Sequence, residues 1–451
     1  DEKKNIALST QNFPDIIYLR SASDISDFAS EGIFEPLSQY INEETMPNFY
    51  KFWQQYPEMQ RYMVDGEMYV FPVVLRDEWA NGFGPVIRTD LLEENGIATP
   101  TTWDEVLDAL AQLKEIYPDS TPWAIRKGTA NLLKTTSYML GSGFGSVSAS
   151  SGMYWDEDLG KYVYGPADTN FKEVLKFLNK AYTTGVLDQE YATTDSDSMT
   201  TKCSSQSFFF LDNSGFGQNY TKELRKIDGN ENATFQVLPI PENSLGERRA
   251  VSYNTRFDRL YAINVNAKNK DQIIKFIDWM YSMEASDITN YGIEGETFQY
   301  NADGEAEYIS DYVMQFKDAS PSDYYACWTD IGAGKLDFSM YACNIKTQRE
   351  IQMITGSWSD LTEDYWKIIN DDDAYVQPHI APSFTTEEAD RVKELTTDLD
   401  TFFTQEYDKY ITGKESIDNW DALIKKAEDM GVRELEQLWN DAEARAVAGT
   451  K

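Results

Sequence analysis

Histidine is almost absent from the 451-residue chain, with His379 the only one. Cys2His2 zinc fingers, two-histidine iron centres and the HExxH helix all need more histidines than this sequence holds, so those chemistries are excluded. A Ser-His-Asp triad would have to run through His379, and no G-x-S-x-G elbow accompanies it. Cysteine is scarce too. Cys203, Cys327 and Cys343 are an odd number without C-x-x-C spacing, which is no disulfide framework. They read as small buried thiols, with a single Cys327–Cys343 bridge left open as the alternative.

Positive charge is also in short supply. Forty Lys and Arg face 76 Asp and Glu, a formal net charge of −36. Phosphate backbones and anionic bilayers are bound by clustered cations, so nucleic acid is excluded as a partner and anionic membrane surfaces are disfavoured. There is no apolar run of 18 residues to cross a bilayer as a helix, and no G-x-x-x-x-G-K-[ST] phosphate loop. Gly141-Ser-Gly-Phe-Gly145 resembles a dinucleotide loop only superficially. It lacks the third glycine at the right spacing and follows a helical pattern rather than a strand, so no cofactor is expected.

Core-forming residues are plentiful: 41% are hydrophobic and 14% aromatic. The length fits two large domains or three smaller ones. Asp15-Ile-Ile-Tyr18, Met68 to Val74, Ser207-Phe-Phe-Phe-Leu211 and Leu260 to Val265 read as buried strands. Helical patterns lie between them. Thr102-x-x-Glu105 is a capping box ahead of Val106, Leu110 and Leu113, and a helix from about Asn170 carries Phe171, Val174, Leu175 and Leu178 on one face. Thr385-x-x-Glu388 caps a further helix, and Asn419 to Ala444 continues the helical pattern. This alternation predicts α/β layers with mainly parallel strand pairing. Residues 148–165 and 297–304 read as hairpins, the first on the surface and the second turning at Asp303-Gly304.

Candidate chemistry is sparse. With 76 acidic residues, carboxylate pairs suited to glycoside hydrolysis arise by chance. Asp195/Asp197 and Asp371 to Asp373 lack the glycine and terminal glutamate of a calcium loop and read as solvated acidic turns, so no metal site is assigned. The aromatics say more. Trp53, Trp103, Trp279 and Trp439 fit helical cores, whereas Trp79, Phe216, Phe257, Trp328 and Trp358 lie among polar, turn-forming residues. Rings beside carboxylates, amides and guanidinium groups suit a sugar, whose C–H face packs on the ring while its hydroxyls take hydrogen bonds.

The order of these pieces resembles the extracellular solute-binding proteins of bacterial ABC importers, in the maltose-binding-protein-like carbohydrate family and its Gram-positive branch. Phe13-Pro-Asp-Ile-Ile17 resembles the family's "PDI" strand, and Ile33-Phe-Glu-Pro-Leu37 its "G-x-L-x-P-L" segment. Asp65-Gly-Glu-Met-Tyr-Val-Phe-Pro72 is similar to "DGK-x-Y-x-x-P". Arg88-Thr-Asp-Leu-Leu92 with Pro100-Thr-Thr-Trp-Asp-Glu105 resembles the "R-x-D-x-L … P-x-T-W-D-E" signature, the most specific piece. The matches span nearly the whole chain.

The resemblance implies an α/β, type II periplasmic-binding-protein-like fold: two doubly wound lobes with a ligand cleft between them. The lobes would comprise residues 1–87 with 263–325, and 88–262 with 326–451, joined near 84–87, 259–262 and 320–340. A first strand that family members carry upstream of "PDI" is expected to be missing from the sequence given. The implied function is capture of an oligosaccharide by hinge closure and delivery to a permease, without catalysis; a glycan hydrolase with a carboxylate pair is the alternative. A monomer outside the cell is implied, tethered to the membrane only through an N-terminal lipid anchor. By the same resemblance, ligand contacts are expected from Asp77, Glu78, Trp79, Arg126, Asn131, Asn213, Phe216, Arg256 and Phe257. Trp328 and Trp358 are added from an expanded segment.

Overall fold

Two three-stranded sheets organise the chain in the computed structural model, which describes residues 2–19, 25, 28–29, 31–74, 83–143, 152–250, 257–317, 323–332, 364–365, 367–369, 374 and 379–449. In chain order the strands are β1 (Ile16–Leu19), β2 (Phe71–Val74), β3 (Phe83–Arg88), β4 (Met153–Asp156), β5 (Lys161–Tyr164), β6 (Phe209–Asn213), β7 (Phe235–Val237), β8 (Phe257–Ile263), β9 (Phe298–Tyr300) and β10 (Ala306–Tyr308). The first sheet has the order β1–β8–β2 and the second β6–β3–β7. Each central strand thus follows, in sequence, a strand of the other sheet.

That exchange corrects the expected parallel pairing. β8 is antiparallel to β1 and β2, and β3 is antiparallel to β6 and β7. The outer strands of each sheet therefore run the same way, as a strand–helix alternation demands, and the inserted strand runs against both. Parallel contacts appear as isolated bridges, Trp123 to Leu187 and Phe209, and Thr102 to Glu242.

The continuous apolar run before Asp212 is explained by burial on both faces of the second sheet. Phe209 and Ile87 face one core, with Trp123 and Leu110, while their neighbours Phe210 and Val86 face another, with Tyr220 and Tyr365. Side chains alternate across a strand, so two covered faces need apolar residues at every position. The first sheet has its own core, including Ile17, Phe34, Phe49, Phe71 and Ile263.

The helices follow their sequence signals. Trp103–Ile116 begins with the Thr102/Glu105 capping box, and Val106, Leu110 and Leu113 are buried. Thr169–Thr183 buries Phe171, Val174, Leu175 and Leu178 completely. Thr386–Ile411 begins with the Thr385/Glu388 box. Hairpin β4–β5 departs from its expected surface position: Met153, Tyr162 and Tyr164 are buried. The C-terminal helix Val432–Gly449 covers its edge. Asn440 Oδ1 accepts from Tyr162 N at 2.9 Å, Asn440 Nδ2 donates to Tyr162 O at 2.9 Å, and Glu436 Oε1 accepts from Tyr164 N at 3.0 Å. An open strand edge is thereby satisfied by side chains. Hairpin β9–β10 turns at Asp303-Gly304 over a small separate core of Tyr291, Phe298, Tyr308, Tyr312 and Cys327. Cys203 and Cys327 are free buried thiols, so Cys327 forms no bridge; burial pushes its thiol up to about 11. Cys343 and Asp371 to Asp373 lie outside the described residues.

The only histidine has a structural setting. Ile380 packs on the first core and Phe384 on the second, so residues 379–385 strap the two together. Arg61, in the 3-10 helix Pro57–Tyr62, holds the strap: its Nε donates to Ile380 O at 3.0 Å, and its carbonyl accepts from Ser383 Oγ at 2.7 Å. Its guanidinium pairs with Glu443 of the C-terminal helix. His379 Nε2 lies 3.1 Å from Arg61 Nη2 and 3.2 Å from Glu443 Oε1, with its ring stacked on Trp155 at 4.0 Å. Arg61 and Glu443 are 8% and 6% exposed, so neither charge has water to fall back on.

Two predictions follow from these contacts. Burial alone would raise the Glu443 carboxyl, but the bonds from His379 and Arg61 hold it below its ordinary 4.5. Its stabilising contribution is therefore complete above that ordinary value and fades as pH falls through the lowered one. Glu443→Gln strands Arg61 and should cost about 3–5 kcal/mol at pH 7, with a smaller deficit at pH 3, in urea titrations at both pH values. Gly84 in β3 lies against the fully buried Tyr365 ring, whose hydroxyl donates to Phe83 O at 2.5 Å. A methyl group there would overlap that ring, so Gly84→Ala should lower stability by about 1–3 kcal/mol in the same assay.

Candidate ligand-binding site

The pairing of Trp123 with Phe209 runs parallel, so the segment after Trp123 travels beside β6 in the same direction. Three residues on, Arg126 and Asp212 reach the same end of the second sheet. Arg126 Nε donates to Asp212 Oδ2 at 2.7 Å and Nη2 to Oδ1 at 2.8 Å, a two-pronged ion pair. Asp212 is 1% exposed. Its hydrogen bonds raise the Arg126 guanidinium above its ordinary value, against the opposing pull of burial.

The turn after β6 builds the rest. Asn213 N donates to Asp212 Oδ1 at 2.7 Å, and Asn213 Oδ1 accepts from Gly215 N at 3.0 Å, which turns the chain into the helix Phe216–Leu224. Phe216, the first residue of that helix, is half-buried and lies under the guanidinium, 5.1 Å from ring centroid to Cζ. The remaining Arg126 nitrogen, Nη1, is 3.4 Å from Ser196 Oγ. Among the described residues Ser214 Oγ and Gln218 Oε1 have no hydrogen-bond partner, and both atoms are buried. Arg126 and Phe216 are partly exposed, and an aromatic ring beside a charge-neutral Arg–Asp fork is a means to hold a polyhydroxylated molecule.

Arg126, Asn213 and Phe216, expected from the sequence, are thus brought together. Asn131 is adjacent but its amide donates to Arg126 O at 3.1 Å, so it positions the arginine. Phe257 is a correction. It is 3% exposed in the core of the first sheet, edge-to-face with Tyr56 and Tyr62, because the pairing of β2 with β8 shifts register between Pro72–Leu260 and Val73–Asp258, which turns Phe257 to the same face as Leu260 and Ala262. Trp328 is also buried, at 4% exposure, on the helix Asp323–Asp330 beside Cys327 of the small core under β9–β10. Asp77, Glu78, Trp79, Arg256 and Trp358 lie outside the described residues. Asp195 caps the helix Ser196–Cys203 by accepting from Ser198 N at 2.8 Å. Asp212, the partner that fixes Arg126, was not among the expected contacts. Its signal was a carboxylate closing a run of apolar residues, an unfavourable place for a charge without a partner.

Residues 2–287 match the family model for bacterial extracellular solute-binding proteins. The fructooligosaccharide ABC transporter substrate-binding protein FusA of Streptococcus pneumoniae is 24% identical over 96% of this chain and 80% of its own. The polygalacturonan/rhamnogalacturonan-binding protein YtcQ of Bacillus subtilis is 21% identical over 98% of this chain and 83% of its own. Among solved structures, the alginate-binding protein AlgQ2 superposes with a TM-score of 0.78 at 20% identity, covering 98% of this chain and 88% of its own. The likeness shows the type II periplasmic-binding-protein-like fold, α/β with two lobes. On its sequence match and its fold, the chain belongs to the bacterial extracellular solute-binding proteins.

Proposed function

We propose that this protein is the extracellular substrate-binding component of an ABC importer, and that it captures an oligosaccharide between its two lobes and releases it unchanged to a permease. The observation that carries the reading is the Arg126–Asp212 fork over Phe216 at the end of the second sheet. A ring for the C–H face of a sugar beside hydrogen-bonding groups for its hydroxyls suits this class of ligand. The carbohydrate-binding relatives support it. The hydrolase alternative has no specific feature in its favour, because carboxylate pairs arise by chance among 76 acidic residues.

The first lobe is proposed to be built on the β1–β8–β2 sheet and the second on β6–β3–β7; because β3 and β8 pair wholly within those sheets, the crossings move from the expected 84–87 and 259–262 to ahead of Phe83 and ahead of Phe257. Asp77, Glu78, Trp79 and Arg256 belong to those crossings and remain proposed contacts, as does Trp358. A lipid anchor upstream of the sequence given and a monomeric state complete the proposal.

A thermal-shift screen against oligosaccharides, monosaccharides and short peptides tests it. A sugar at 100 times its Kd should add about 2.7 kcal/mol of stability, and it should be recovered intact. Phe216→Ala should weaken that sugar about tenfold, or ~1.4 kcal/mol, by calorimetry. Stabilisation by peptides alone, or recovery of cleaved glycan, would refute the reading.

A further inference from the structure

The relatives do not agree on the charge of the ligand: one is named for fructooligosaccharides, another for polygalacturonan and rhamnogalacturonan, a third for alginate. Membership of the family therefore leaves open whether this chain takes neutral or acidic glycans. Resting on the carbohydrate reading above, we propose that the site selects neutral oligosaccharides over uronate-bearing ones, and that Asp212 is the residue that decides.

A uronate differs from its neutral counterpart by one carboxylate, which can only accept hydrogen bonds and needs an uncommitted cation when it leaves water. Arg126 is already committed. Two of its three nitrogens are held by Asp212, the third approaches Ser196, and one face covers Phe216. The pair is neutral as a unit. For a uronate to claim Arg126, it would have to displace a carboxylate that is 1% exposed and leave that charge buried without a partner. If the fork stays closed, the incoming carboxylate meets another carboxylate instead.

The same turn favours hydroxyl groups. Behind the fork, Gln218 Oε1 and Ser214 Oγ are buried and have no hydrogen-bond partner among the described residues, so they add acceptor oxygens rather than cations to its surroundings. A sugar hydroxyl both donates and accepts, so it suits acceptor-rich surroundings in a way that a carboxylate does not. Among the described residues, the next cation along the chain, Lys127, is exposed to solvent, where screening makes a single charge a weak anchor; Arg256, the other cation proposed as a contact, lies outside them. The net charge of −36 adds a long-range field that slows the approach of polyanions.

The test compares two sets of probes by calorimetry on the full chain. One set holds neutral fructo-, manno-, xylo- and galacto-oligosaccharides of three to five units; the other holds galacturonate and mannuronate oligomers of the same lengths. The expected result is binding of at least one neutral oligomer and at least 100-fold weaker binding of every uronate. Asp212→Asn, which frees the guanidinium, should weaken the neutral ligand and shift the neutral-to-uronate preference at least tenfold toward uronate. The wild-type comparison stands alone should that variant fail to fold. Tight wild-type binding of a uronate oligomer overturns the proposal and leaves the carbohydrate reading in place. Silence toward both sets overturns the two together, and an unchanged preference in folded Asp212→Asn removes Asp212 as the deciding residue.

Discussion

The exchange of central strands is the constraint on which the rest depends. Neither sheet has a middle without the strand that follows from the other, β8 in the first and β3 in the second. Folding of one half therefore requires the chain to have crossed from the other half. The crossing also fixes where chemistry can sit. Entering β3, Phe83 pairs with Asn213 at the end of β6; entering β8, Phe257 pairs with Val74 at the end of β2. At both sheets the arriving strand begins beside the end of a resident one. On the second sheet that is where Asp212, Asn213 and Phe216 gather with Arg126.

A second link between the halves works differently. Arg61, Glu443 and His379 form a buried polar knot where the strap at 379–385 passes from one core to the other. A buried ion pair contributes little net stability relative to apolar residues of the same shape, yet breaking it by halves is costly. Its effect is to specify one arrangement of the strap against the 3-10 helix and the C-terminal helix. Trp155 stacked on His379 brings hairpin β4–β5 into the same arrangement. The one residue that a search for catalysis would single out is thus held between an arginine, a carboxylate and an indole.

Much of the local structure was legible because its causes are local. The Thr102/Glu105 and Thr385/Glu388 boxes announce their helices within four residues, and the Asp303-Gly304 turn announces its hairpin. Strand direction was not legible: the apolar run of β6 looks the same beside a parallel or an antiparallel neighbour, and the inserted strand is set by a connection elsewhere in the chain. Hairpin β4–β5 reads as surface structure because the helix that covers it lies some 270 residues later. In the site, Phe216 stood out by its polar surroundings and Arg126 through the family resemblance, whereas the Arg126–Asp212 pair joins residues 86 apart. Phe257 misled for a related reason. Its charged neighbours suggest an edge, but the register shift where β8 pairs with β2 turns it inward, to the face of Leu260.

Small-angle scattering of the protein alone and saturated with a stabilising oligosaccharide, followed by mass analysis of the released glycan, tests the central claim most directly. A receptor of this fold should contract as its lobes close on the sugar, and the glycan should return with its mass unchanged. Binding without contraction would contradict hinge closure, and a shortened glycan would contradict a protein that only binds.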